Sequence, residues 1–325
     1  MTAYLPLLQL LADGRFHSGE ALGRRLGVTR AAIWKQLKVL AALGLKIQSV
    51  RGRGYRLEHP IELLDPDVIR DSLSPATRSC LPRIDVFPQI DSTNTYLKKC
   101  ALLDAQSGTV CLAEWQTAGR GRRGREWISP FGGNLYLSVL WRFAGGPGTI
   151  GGFSLVIGVA LARALRGVTG SGIGLKWPND LLWQGRKLAG VLVELAGEAG
   201  GPSHAVVGIG VNVRMPDRAA EAVDQPWVDL FRMCGDTPSR NGLAARILDE
   251  LVQAVTTFEL HGFAPFVDAW REFDVIAGRP VQLHLPNEIV RGEARGIDAS
   301  GAFVVQVGAE LRRFASGEIS LRMAT

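Results

Sequence analysis

The chain has 325 residues, 46% hydrophobic and 21% charged, with a formal net charge of +6. That length holds two or three domains with a large core, and the balance is that of a soluble globular protein. A leader peptide and a membrane span are both disfavoured. Leu5 to Ala12 is apolar but short, and the uncharged run between Arg142 and Arg163 is broken by six glycines and Pro147.

The positive charge is concentrated. Residues 1–60 carry ten Lys/Arg against three Asp/Glu, which leaves 27 against 28 for the rest. A polyanion partner is therefore expected for that segment rather than for the whole protein. Cys80, Cys100, Cys111 and Cys234 have neither metal nor disulfide spacing. They read as reduced core thiols of a cytoplasmic protein, and no resident metal site is expected.

In chain order, residues 1–60 predict a winged helix. Helices are expected over Leu5 to Ala12, Gly19 to Leu26 and Arg30 to Leu43, with Thr29 as N-cap of the third. In that third helix Ile33, Leu37 and Leu40 share one face, while Arg30, Trp34, Lys35 and Lys38 share another, as on a major-groove recognition helix. Lys46 to Leu57 alternates around Arg51-Gly52-Arg53-Gly54, a hairpin whose tip aims Arg51 and Arg53 at phosphate. A small helical domain with a solvated basic face would show the same residues; the charge concentration favours DNA.

Pro60 and the acidic Glu62 to Asp71 stretch end that unit, and an α/β region follows. Strands are expected at Arg83 to Pro88, Val110 to Trp115 and Asn134 to Trp141, with helices at Ser92 to Leu103 and Ile150 to Arg166. Ser92-Thr93-Asn94 places three cap-type side chains at one helix start. Plain capping needs one; the surplus offers hydrogen bonds to a small polar ligand.

Between the second and third strands lies Gln116-Thr-Ala-Gly119-Arg120-Gly121-Arg122-Arg123-Gly124-Arg125-Glu-Trp127. Glycines let backbone N–H groups turn inward, and arginines bring planar forks suited to phosphate or carboxylate. The segment predicts an anion-wrapping loop with Trp127 covering a stacked group. Gly119, Gly121 and Gly124 also spell G-x-G-x-x-G, but Ile128-Ser-Pro130-Phe-Gly132-Gly133 cannot open the helix that a dinucleotide fingerprint requires.

Further on, Lys176-Trp-Pro178-Asn179-Asp180 is a turn between strands and Gln184-Gly185 a hairpin turn, after which Lys187 enters an apolar strand. A lysine there is ordinarily solvated; beside those turns it is also placed to face an anion. Val206 to Val213 is a buried strand whose glycines permit close approach. Arg214 to Arg240 reads as irregular, and Leu243 to Leu260 and Phe263 to Phe273 as helices. From Gly278, short strands with turns at Pro286-Asn287 and Ser300-Gly301 predict a small β-barrel closing near Leu321.

Taken together, the Gly119–Trp127 loop, the Lys176–Asp180 turn with Lys187-Leu-Ala-Gly190, and the Gly208–Asn212 strand resemble, in order and spacing, the bifunctional biotin–protein ligases that double as the biotin operon repressor. The resemblance implies an α/β (α+β) chain in three parts. They are a winged helix-turn-helix DNA-binding domain (1–60), a class II synthetase-like mixed-sheet catalytic domain binding biotin and ATP (65–275), and an SH3-like β-barrel (276–325).

It implies that biotin and ATP, with Mg²⁺, form biotinyl-5′-AMP. The biotinyl group then passes to a lysine of the biotin carboxyl carrier protein of acetyl-CoA carboxylase. The adenylate serves as corepressor, and an adenylate-bound homodimer, pairing strands such as Gly190 to Leu195, binds operator DNA; no membrane partner is implied. By position, Ser92, Thr93, Asn94 and Gln116 would bind biotin's ureido ring and neighbouring atoms. Arg120, Gly121 and Arg122 would hold its carboxylate and the phosphates, Trp127 would flank adenine, and Asn179 and Asp180 would lie on the ATP side. Lys187 would neutralise charge between carboxylate and α-phosphate. The competing readings are a ligand-sensing repressor without ligase activity and a nicotinamide-sensing repressor; lipoate ligases share the catalytic fold.

Overall fold

The computed structural model describes residues 3–170, 172–198, 200–285, 288–315 and 320–323. Helices α1 (Leu5–Leu11), α2 (Gly19–Leu26) and α3 (Arg30–Ala42) precede the hairpin of β1 (Ile47–Val50) and β2 (Gly54–Leu57). Ser18 caps α2 through Ala21 N, and Gly27 ends it at φ +65°. Thr29 caps α3 through Ala32 N. These are the groups that satisfy orphan helix-end donors and the left-handed exit. Ile33, Leu37 and Leu40 turn inward onto Leu7, Leu8, Leu11 and Leu57, so the apolar stripe of α3 is its core face.

Two short helices then appear that periodicity could not reveal, α4 (Pro66–Ser72) and α5 (Pro75–Cys80). Their signal is local: Asp65 and Ser74 cap them, each followed by proline in the first turn. Nor is the acidic stretch before them a bare spacer. Glu62 accepts from Ser239 Oγ at 2.8 Å and from the backbone N of Arg240. Leu64 N donates to Glu114 Oε1 at 2.6 Å, and Arg240 pairs with Glu114 Oε2 at 2.7 Å in a nearly solvent-free setting.

The central region contains β3 (Arg83–Phe87), α6 (Thr93–Leu102), β4 (Thr109–Ala113), β5 (Leu135–Phe143) and α7 (Phe153–Thr169). It continues through β6 (Ile173–Lys176), β7 (Asp180–Trp183), β8 (Arg186–Gly197) and β9 (Ser203–Val211), then α8 (Asp217–Ala220), α9 (Leu230–Cys234), α10 (Arg240–His261) and α11 (Val267–Phe273). The seven strands run β3-β4-β5-β9-β8-β7-β6, with only β3 and β4 parallel. Period-two alternation divides the sheet. Leu135, Leu137, Val139 and Trp141, with Ala205, Val207, Ile209 and Val211, face α7 and α10 in the main core. Leu140 and Val206 face the other way, onto Leu97 and Ala101 of α6.

Three stretches differ from expectation; in the first, the helix expected from Phe263 starts only at Val267, after a 3₁₀ turn over Ala264–Phe266. Helix α7 begins at Phe153, not Ile150, because Pro147–Thr149 forms a 3₁₀ turn and Gly152 takes φ +76° against Phe263. The 214–240 segment is not wholly irregular. It contains α8 and α9, and buried Asp229 caps α9 through Arg232 N at 2.8 Å.

Strand β8 outruns its neighbour. β7 pairs with it only from Arg186 to Gly190, so Gly190 is an interior residue, and the strand edge used in the expected dimer pairing starts beyond Val191. The C-terminal strands β10 (Pro280–His284), β11 (Ile289–Ile297), β12 (Phe303–Val307), β13 (Glu310–Phe314) and β14 (Ser320–Met323) form an antiparallel sheet in the order β13-β12-β11-β10-β14. The turn at Ser300-Gly301 is present, with Gly301 at φ +82°; the one expected at Pro286-Asn287 lies outside the described residues. Trp177 stacks on Phe303 at 5.1 Å and fixes this sheet to the central region. Among the described residues no helix is long and apolar enough to cross a membrane.

The first unit is not closed on itself. Phe131, from the central region, is 3% exposed and sits in its core, edge-on to Tyr4 at 6.5 Å, with Trp115 packed beside it. Phe131→Ala should therefore destabilise the protein by about 3–5 kcal/mol, read as a lower urea midpoint; an unchanged midpoint would show that the shared core carries no load.

Candidate active site

The sequence-expected side chains around the glycine–arginine loop converge. A cleft of about 810 Å³ is lined by Ser92, Thr93, Asn94, Gln116, Arg120, Gly121, Arg122, Trp127, Asn179, Asp180 and Lys187, with Arg279 and Leu321 reaching it from the C-terminal sheet. Its lining holds seven Lys/Arg against three Asp/Glu, so the cleft favours an anion.

One end is polar and pre-ordered. Ser92 caps α6, and Gln116 Oε1 accepts from Thr93 N at 2.9 Å and Thr93 Oγ1 at 3.1 Å. Gln116 Nε2 donates to Ser129 Oγ at 3.2 Å. Ser138 Oγ, fully buried on β5, contacts Thr93 Oγ1 at 2.7 Å and Asn94 Oδ1 at 2.6 Å. Such a closed network holds its groups in fixed directions, as recognition of a small polar ring requires.

The Gly119–Trp127 segment forms a short hairpin rather than an open loop. Trp127 N donates to Gly119 O at 2.9 Å and Gly121 N to Arg125 O at 2.7 Å, while Arg123 (φ +57°) and Gly124 (φ +70°) make the tip. As the expectation against a dinucleotide fingerprint required, no helix leaves this hairpin.

The other end carries the charge. Lys187 Nζ lies 2.8 Å from Asp180 and 5.3 Å from the centre of the Trp127 ring. Arg122 Nη1 donates to Asn179 Oδ1 at 3.3 Å, and Asn179 Nδ2 donates to Val191 O at 2.7 Å. Burial pulls the Arg122 guanidinium below its ordinary pKa; Asp180 opposes that shift, and Arg123 and Arg125 add to it. An anion bound here would relieve the same unfavourable field.

Trp127 lies flat over the sheet because nothing stands beneath it. A Cβ at Gly210 would strike its indole, and one at Gly190 would come within 3.1 Å. Its indole N–H is buried without a partner. Gly208 plays the same part under Asn94, whose Oδ1 would collide with a Cβ there. The glycines of β9 were expected to admit a ligand or backbone; Gly208 and Gly210 instead admit the side chains of Asn94 and Trp127.

Sequence reasoning missed Glu194, on β8. Its carboxylate receives Asn94 Nδ2 at 2.9 Å, Lys98 Nζ at 3.0 Å and Arg120 Nη2 at 3.2 Å. Burial would raise its pKa, but hydrogen bonds from Asn94 and Lys98 and the charges of Arg120 and Lys98 hold it below the ordinary 4.5. The available signal was a lone carboxylate in the apolar run Leu188 to Ala196 of β8. Ser138 was missed for the same reason, a single serine within Leu135 to Phe143.

The residues expected to face DNA lie elsewhere, on the first unit. Arg30, Trp34, Lys35, Lys38, Arg51 and Arg53 are all exposed. Lys38 Nζ sits 3.6 Å from the centre of the Trp34 ring, and the Arg53 guanidinium 4.3 Å from that of Phe16, which steadies the wing tip.

Comparison with known proteins covers the whole chain. The HTH domain family matches residues 5–56, the biotin/lipoate A/B protein ligase family 86–212, and the biotin protein ligase C-terminal domain 276–322. The chain is 44% identical over 323 residues to the bifunctional ligase/repressor BirA of Salmonella typhimurium, covering 99% of this chain and 98% of that one. It is 28% identical to the BirA of Bacillus subtilis, over 95% of each chain. A solved biotin protein ligase from Aquifex aeolicus, in complex with biotin and ATP, superposes with a TM-score of 0.65 at 28% identity, over 75% of this chain and 100% of that one. The full-length match to BirA and the three domain families in sequence place this chain in the family of bifunctional biotin ligase/repressors.

Proposed function

We propose that the chain is an ATP-dependent biotin–protein ligase that also represses transcription through its N-terminal helix-turn-helix. The observation that carries this is the cleft itself, a pre-ordered polar pocket continuous with a cationic one. Its natural division is residues 1–60 for DNA, 65–275 for biotin and ATP, and 276–325 as the C-terminal domain.

The chemistry asks for no protein nucleophile. An oxygen of biotin's carboxylate attacks the α-phosphorus of ATP, the bond to pyrophosphate breaks, and biotinyl-5′-AMP forms. The ε-amine of a lysine on the carrier protein then attacks the acyl carbon, AMP departs and the amine loses a proton. What the chain must supply is alignment and charge neutralisation. Ser92, Thr93, Asn94 and Gln116 bind the ureido ring. Arg120, Gly121 and Arg122 hold carboxylate and phosphates, and Trp127 stacks by adenine. Asn179 orients Arg122. Asp180 orients Lys187, which neutralises charge where carboxylate and α-phosphate meet.

Mg²⁺ fits as the companion of the triphosphate. Among the described residues no group of three His, Cys, Asp or Glu could hold a metal, whereas magnesium is commonly carried by phosphate oxygens and water with few protein ligands.

The open edge of β8 beyond Val191 suits strand pairing with a second copy when the adenylate is bound, which would set two recognition helices on one operator. Of the four cysteines expected in the core only Cys111 is buried, and Cys80 and Cys234 are exposed at the surface; all four are free thiols, which suits the cytoplasm.

Lys187→Ala and Arg122→Gly should each lower biotin-dependent ATP–pyrophosphate exchange by roughly a hundredfold or release the adenylate early. Unchanged exchange and retention in both would overturn the assignment. A streptavidin blot of a carrier domain incubated with biotin and ATP tests the ligase directly; no transfer would leave a ligand-sensing repressor. Because the folded pKa of Glu194 is depressed, its ionised form stabilises the protein above pH 4.5, and that contribution is lost as pH falls through the lowered value. From about pH 6 down to about pH 3, the thermal midpoint should therefore fall more steeply in the wild type than in Glu194→Gln; parallel curves would contradict this.

A further inference from the structure

Glu194 touches the site without being part of its wall. It is absent from the cleft lining, which nonetheless includes its partners Asn94 and Arg120. Its side chain is 23% exposed and takes donors from three places: Asn94 at the start of α6, Lys98 one turn later, and Arg120 of the hairpin. An ionised carboxylate only accepts, so the amide nitrogen of Asn94 must face it. That leaves Asn94 Oδ1 to receive Ser138 Oγ at 2.6 Å. Arg120, 41% exposed, has no other ion-pair partner among the described contacts that would aim it inward.

We propose that Glu194 is a positioning residue for biotin, fixing the Asn94 amide and the Arg120 guanidinium in the directions from which they meet the ligand. This rests on the assignment of Asn94 and Arg120 to biotin made above. Glu194 lies on the face of β8 shared by Gly190 and Leu192, so the strand that supports Trp127 also sets the polar end of the pocket. Lys98 holds the carboxylate from the solvent side and keeps it ionised between two cations.

The experiment is biotin-dependent ATP–pyrophosphate exchange with Glu194→Gln and Glu194→Ala beside Asn94→Ala and Arg120→Ala. Gln preserves volume but turns an amide donor toward Arg120 or Lys98. KM for biotin should rise about tenfold in Glu194→Gln and more in Glu194→Ala, while kcat and KM for ATP stay within about threefold, a split that general loosening of the fold would not give. In an Asn94→Ala background the effect of Glu194→Gln should shrink, as coupled neighbours require.

If Asn94→Ala and Arg120→Ala both leave the biotin KM unchanged, the site assignment fails and this proposal with it. If they raise it while both Glu194 variants stay within about twofold of wild type, or bind biotin more tightly, the role of Glu194 alone is overturned.

Discussion

The site depends on the register of three antiparallel strands. In β5, β9 and β8, Ser138 pairs with Gly208 and Gly208 with Leu192; one row over, Tyr136 pairs with Gly210 and Gly210 with Gly190. Side chains alternate across a sheet, so this alignment puts Ser138 and the glycines on the α6 face and Leu137, Val139, Val207 and Ile209 on the other. A slip of one residue would bury the glycines against α7 and raise Val207 and Ile209 where Trp127 now lies. The aliphatic face makes that slip costly, since it fills the main core. Packing on one side thus secures ligand geometry on the other.

Much of this was legible in the sequence. Helices α2 and α3, with the Thr29 cap of α3, and the strands around the hairpin lie where periodicity and turn chemistry put them. The cleft side chains came from loop and turn motifs whose chemistry stands out against apolar strands. What stayed hidden depended on partners far apart in the chain. Glu114 and Arg240 are 126 residues apart, and Asn94 and Glu194 are 100 apart. No local pattern announces that two such residues pair. Helices α4 and α5 were too short to show a period, though each begins with a cap followed by proline.

The buried Glu114–Arg240 pair holds several elements at one point. Glu114 follows β4 directly, accepts from Leu64 of the linker and meets the first residue of α10; Arg240 also reaches Asn134 O at 3.1 Å, just before β5. A buried ion pair adds little net stability unless its remaining valences are filled. Here they are, by backbone groups of the linker and of Asn134. Its effect is to fix where the polypeptide leaves the N-terminal unit and enters the central sheet.

The segment between Trp115 and Phe131 belongs to two interiors at once. Its middle forms the wall of the cleft, and both its ends are lodged among the leucines of the helix-turn-helix. A chain severed after the wing would uncover two aromatics together with Ile61 and Leu63, a sticky apolar area that water does not tolerate well. Evolution could not shed the DNA reader by simple truncation without also repainting that seam, and any protein engineer who wants the ligase alone inherits the same repair.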